Sequence, residues 1–212
     1  WYMVASGLKD DPRVSHFRLA LHLSTAFLIF GLLFWQWMRF SGWGRASTAV
    51  GGWLWALMAA LCAQIVLGAF VAGLDAGLVY NTFPLMDGGW APPELEKGLS
   101  LHEPGTVQWL HRLGAGAVFL LAAAFGLIRV KAEGAALRHY GAMFLLLVLA
   151  QAGLGIVTLL YAVPVSLASL HQVAALFLFG FLLSGIYRFT QTPPGVKSVP
   201  DGDVHASLTR TL

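Results

Sequence analysis

Along this chain polar residues are confined to short stretches, and between them lie five apolar runs of about 20 residues or more. The first complete run covers residues 14–37 and is closed by Arg39; the others cover 50–74, 107–128, 140–161 and 165–187. A helix rising about 1.5 Å per residue needs about 20 residues to cross a hydrocarbon core of about 30 Å. Each run therefore predicts a transmembrane helix. Residues 1–5 read as the end of a further span and 6–15 as a polar loop; a chain that opens on Trp1 in mid-phrase is expected to continue upstream. Residues 75–106 carry Gly, Pro and aromatic residues without a helical period, which predicts a long loop. Its Asn81-Thr-Phe-Pro84-Leu-Met86 stretch has apolar side chains able to fold back on the bundle. Residues 92–98 offer little to bury and are expected at the surface. The polar tail from Thr190, with Pro193 and Pro194, is expected to be disordered.

Composition makes the class all-α, a polytopic transmembrane helical bundle embedded in a lipid bilayer. At 58% hydrophobic and 11% charged, the chain lacks the polar residues to cover a soluble domain. No cleavable signal pattern precedes the first span. The net charge of +3 comes from basic residues scattered at helix ends, which argues against a nucleic-acid partner. The single Cys62 lies within a span and excludes a disulfide framework. Arg39, Arg45, Arg129, Lys131, Arg138, Arg188, Lys197 and Arg210 fall on one side of the alternating spans. Asp10, Asp11, Asp75, Asp87, Glu94, Glu96 and Glu103 fall on the other. The positive-inside rule then puts the tail in the cytoplasm (or matrix) and the long loop outside.

Three histidines stand within the first two turns of parallel spans: His22, His111 and His171. An ionisable residue inside a membrane helix is costly and marks a functional site by default. The neighbours one turn on are small: Thr25 and Ala26, Gly114 and Ala115, Ala174 and Ala175. That leaves room for a flat group such as an imidazole-ligated porphyrin; small residues also serve close helix packing. An internal repeat places two of the histidines in register, since residues 22–33 align without gaps on 171–182. A shorter echo pairs Ala63-Gln64 through Gly68 with Ala150-Gln151 through Gly155. Arg18 and Arg112 suit haem propionates or an interfacial snorkelling position. His16, His102, His139 and His205 read as solvated surface histidines. No His-Glu-x-x-His pattern, Cys–His pair, phosphate loop or intramembrane acid is present to support other chemistry.

The chain resembles the C-terminal part of the haem A synthases of the alphaproteobacterial and mitochondrial type. The resemblance rests on Ser6-Gly-Leu-Lys-Asp-Asp-Pro-Arg-Val-Ser-His16, on residues 72–87 with Asn81-Thr-Phe-Pro84-Leu-Met86-Asp87, and on the His111-Arg112 and Leu170-His171-Gln172 pairs. It covers all but the tail. The resemblance implies eight spans in two pseudosymmetric four-helix bundles. Residues 1–45 would end the N-terminal, substrate-haem bundle, residues 46–189 would form the C-terminal haem b-binding bundle with its outer loop, and 190–212 a cytoplasmic tail. It implies that His111 and His171 are axial iron ligands of a bound haem b with Arg112 beside it. His22, with Arg18, would serve the substrate haem O, and the catalytic glutamate would lie upstream of Trp1. The implied reaction oxidises a methyl group of haem O to the formyl of haem A, by successive hydroxylations and loss of water, for cytochrome oxidase assembly. Haem O synthase and a ferredoxin-type electron donor are implied partners, and the bacterial cytoplasmic membrane the implied location. A di-haem b cytochrome that only passes electrons is the alternative reading; a transporter or assembly scaffold with structural histidines is a third.

Overall fold

The computed structural model describes residues 15–44, 48–128, 130 and 134–190. The expectations for residues 1–14, Arg45, Arg129, Lys131 and the tail with His205 lie outside the described residues. Among the described residues five helices are long and apolar enough to cross a membrane: α1 (His16–Phe40), α2 (Gly51–Gly73), α3 (Pro104–Ala123, continued by a π-helical turn Ala124–Ile128), α4 (Ala135–Leu160) and α5 (Val165–Phe189). No strand occurs among the described residues. That is the outcome expected where lipid offers backbone groups no partner and each must be bonded within its own segment.

All five predicted spans are present, and four begin or end several residues beyond the apolar runs. Helix α4 starts at Ala135 rather than 140, because Ala135, Ala136 and Leu137 favour helix and carry the polar Arg138 and His139 with them. Helix α3 starts at Pro104, a proline at the first turn where its missing N–H costs nothing.

Helices α2 to α5 form a ring in which each packs against the next and α5 closes on α2, so α3 and α5 face each other on the diagonal. Helix α1 lies outside this ring against α2 and α5. Its contact with α5 is made by the internal repeat itself. A Cβ on Gly31 would stand 3.3 Å from the Phe179 ring, and one on Gly180 would stand 3.3 Å from the Phe30 ring. The Phe-Gly pair of each copy thus fits the Phe-Gly pair of the other. Helices α3 and α4 also cross on glycine, where a Cβ on Gly141 would lie 3.2 Å from the Gly126 Cα. Small residues at crossings are how membrane helices gain contact without a hydrophobic driving force.

The main core occupies the end of the bundle away from the long loop: Met38, Leu54, Leu57, Phe125, Phe144, Leu182 and Ile186 are fully enclosed there. A smaller cluster of Ala20, Ala69, Phe70 and Val107 sits at the loop end. Between the two, every helix of the ring has a stretch with no fully buried residue: 62–68, 109–117, 149–157 and 165–177. The α4–α5 turn is tight, with Ala162 and Val163 both in the left-handed region (φ 55 and 56). A branched side chain is strained there; Val163 is held by its N–H to the Thr158 carbonyl (2.9 Å) and by packing onto Gly77, where a Cβ would be 2.8 Å from it.

The loop carries more structure than its sequence suggests. It contains 3-10 turns at Ala76–Leu78 and Pro93–Lys97. The expectation that 92–98 stays at the surface holds for Pro93, Glu96, Lys97 and Gly98, which are exposed; Pro92 is buried, and the half-buried Glu94 carboxylate accepts the Tyr80 hydroxyl at 2.9 Å and 3.0 Å. A carboxylate that binds a buried tyrosine draws its own segment inward.

Candidate haem-binding site

The stretch without buried residues coincides with the two ring histidines. His111 lies on the eighth residue of α3 and His171 on the seventh of α5, so the diagonal helices bring them to one level. Each is seated on the preceding helix by the same pair of residues. Gln64 of α2 donates from Nε2 to the His111 carbonyl (2.9 Å) and touches the ring at Nδ1 (3.0 Å). Gln151 of α4 donates to the His171 carbonyl (3.0 Å) and touches Nδ1 at 3.3 Å. One turn on, a glycine leaves the space the ring needs. A Cβ on Gly68 would be 3.2 Å from His111 Cε1, and one on Gly155 only 2.9 Å from His171 Cε1. The echo between 63–68 and 150–155 is therefore a repeated histidine seat. The sequence pattern alone marks its glutamines only as part of a repeat, although a polar amide inside an apolar span is itself a signal.

His22 stands elsewhere. It is exposed, on the flank of α1 turned away from Ala20 and Phe27, and the structure does not bring it to the His111–His171 pair. Arg18, four residues before it, is half-buried. Arg112 donates from Nη2 to the Tyr80 carbonyl (2.9 Å) and from Nη1 to the Leu85 carbonyl (3.3 Å), while its buried Nε has no partner among the described residues. Its observed contacts tie down the loop. Gln108 reinforces them by donating to the same Tyr80 carbonyl at 3.0 Å, and Trp109 donates to the Trp90 carbonyl at 3.1 Å. Asn81 closes the far side: its amide donates to the Gly77 carbonyl (2.7 Å) and to the Leu159 carbonyl at the end of α4 (2.9 Å). The loop is thus bonded to α3 and to α4, over the end of the bundle where the histidines stand.

One surface histidine is reassigned. His16 is only 7% exposed, packed edge-on to Phe70 (5.4 Å) and His102 (5.3 Å) above Gly73. It is buried because α1 and α2 meet there on a glycine. His102 and His139 are exposed, as read from the sequence.

The residues around His111 and His171 fit a haem. His111 and His171 stand at one level on diagonal helices, the small residues Gly114, Ala115, Ala174 and Ala175 follow them, and the core is interrupted at their level on all four helices. Gln64 Oε1 and Gln151 Oε1 are buried there without a hydrogen-bond partner among the described residues. Among those residues no group of three or more His, Cys, Asp or Glu is placed to hold a bare metal ion.

Comparison with known proteins finds relatives over most of the chain. A Heme A synthase of Rickettsia felis is 38% identical over 206 residues, covering 86% of this chain and 57% of its own length. A Heme A synthase of Wolbachia pipientis is 40% identical over 196 residues, covering 88% of this chain and 56% of its own. The chain thus spans somewhat over half the length of the curated relatives it matches. No solved structure matches it. The family model described as cytochrome oxidase assembly protein matches residues 1–183, and the chain belongs to that family.

Proposed function

We propose that this chain provides the haem b-binding bundle of a haem A synthase, with helices α2 to α5 as that bundle and α1 as part of the neighbouring substrate-haem bundle. The observation that carries the reading is the interruption of the core at one level on four helices, where two diagonal histidines stand on matching Gln–Gly seats. His111 and His171 would hold the iron of haem b, which when bound supplies electron transfer to a second haem nearby. The chain's own residues do the rest. Ala115, Ala174 and Ala175 keep side-chain bulk low one turn after the histidines, and Gly114 makes room for the Gln64 amide. Arg112, Gln108 and Asn81 hold the loop across the site and exclude water. The Arg112 Nε, which has no partner among the described residues, is a candidate donor to a propionate, and the Arg18 guanidinium is another. His22, apart from the pair, would serve the substrate haem O, whose methyl group is oxidised to the formyl of haem A. Basic residues at the end away from the loop favour a cytoplasmic C-terminus in the bacterial inner membrane. Haem O synthase as supplier and a ferredoxin-type donor as reductant are partners that would suit this reaction.

The test is pyridine haemochrome analysis and product haem quantification on the purified membrane protein. His111→Ala and His171→Ala should each lose the low-spin haem b. His22→Ala should keep haem b and form no haem A. Loss of haem b in His22→Ala, with retention in the other two, would reverse the assignment. Haem b without any haem A in the wild type would favour an electron-passing cytochrome.

A further inference from the structure

The two glutamine amides are oriented by the backbone. Because Nε2 of Gln64 and Gln151 donates to a carbonyl, exchanging the amide ends would set oxygen against oxygen. The same nitrogen stands 3.0 and 3.4 Å from the two ring nitrogens of His111, and 3.3 and 3.4 Å from those of His171. Each amide nitrogen thus stands nearly equidistant from the two nitrogens of its imidazole. Each Oε1 is left buried without a donor among the described residues, which is costly in apolar surroundings.

A histidine that presents Nε2 to iron keeps its proton on Nδ1 and has an N–H to place. A primary amide matches what such a residue offers: its N–H answers the histidine carbonyl, and its oxygen answers Nδ1–H. Turning the amide and the ring toward each other, with the first bond kept, would complete the second. The arrangement occurs twice, on α2–α3 and on α4–α5, with the same Gln-x-x-x-Gly spacing. We propose that Gln64 and Gln151 are positioning residues for the two axial histidines. In the haem-loaded protein they accept Nδ1–H through Oε1, select the tautomer that offers Nε2 to iron, and hold both ligands as neutral imidazoles. This rests on the haem reading above. A neutral amide draws less on the Nδ1 proton than a carboxylate does, so the glutamines keep the ligands less electron-rich and the haem easier to reduce.

The experiment measures haem b content, the low-spin electron paramagnetic resonance signal and the midpoint potential of the detergent-purified protein. Gln64→Glu and Gln151→Glu should each lower the potential and shift the resonance signal, with the two effects adding in the double variant. Gln64→Leu and Gln151→Leu, which remove the acceptor, should raise the potential. An unchanged potential and signal in the haem retained by the Glu and Leu variants, whatever its amount, would overturn the proposal and leave the glutamines a purely structural grip. A wild-type protein with no low-spin haem b would instead overturn the haem assignment itself.

Discussion

Replacing Gly155 with alanine tests the histidine seat most directly. The new Cβ would lie 2.9 Å from His171 Cε1, 3.4 Å from Nδ1 and 3.5 Å from Nε2. Carbon atoms pack at about 3.5–4.0 Å, so the ring must retreat by roughly 0.6–1 Å. At Gly68 the same change places the Cβ 3.2 Å from His111 Cε1 and 3.8 Å from Nδ1, a retreat of roughly 0.3–0.8 Å. Overpacking of this kind costs about 1–3 kcal/mol. Alanine also improves helix propensity by up to about 1 kcal/mol over glycine, and a ring free to swing away escapes much of the clash. The unfolding temperature should therefore change little. Haem binding should not escape, because iron fixes the ring where the new methyl wants to be. Gly155→Ala is expected to weaken haem b retention by about tenfold or more, and Gly68→Ala by less. Haem b per protein, titrated against haem concentration and read by the low-spin absorption bands, decides the matter. Wild-type retention in Gly155→Ala, or a larger loss in Gly68→Ala, would refute the seat as described.

Three further outcomes are expected. Asn81→Ala removes two hydrogen bonds, to Gly77 and Leu159, at about 1 kcal/mol each; proteolysis within residues 78–90 should accelerate, and an unchanged rate would count against loop anchoring. Gly185→Ala would set a methyl group against the Tyr140 hydroxyl and break its bond to the Phe181 carbonyl; unfolding in detergent should show a loss of about 1–3 kcal/mol, whereas Gly52→Ala, with open space around it, should show none. Burial first and then Glu94 push the Tyr80 hydroxyl above its ordinary value, so its contribution to loop attachment is complete below about pH 10 and is lost as pH rises through the higher attached value. Protease sensitivity of the wild-type loop should climb above that pH, and Tyr80→Phe should abolish the climb; a climb of the same size in the variant would show that Tyr80 is not its cause.

The five spans were legible because membrane helices announce themselves by apolar length alone, and lipid leaves the backbone no other way to satisfy its hydrogen bonds. Their ends were less so, since hydropathy stops at Tyr140 while the helix of α4 reaches back to Ala135 through polar residues. His111 and His171 could be named from sequence because an ionisable group in such a helix is expensive and small residues follow it. The Ala-Gln echo was visible too, but two glutamines on α2 and α4 mean nothing until the ring of helices sets each beside a histidine on the next. The tertiary structure also decided that His16 is buried, because only the α1–α2 crossing at Gly73 places Phe70 and His102 around it. It decided that Glu94 turns inward, because Tyr80 is a partner 14 residues away in a loop without periodicity. And it separated His22 from the other two histidines: equal depth in parallel helices is a property of the sequence, but the direction each side chain faces depends on which helices pack against it.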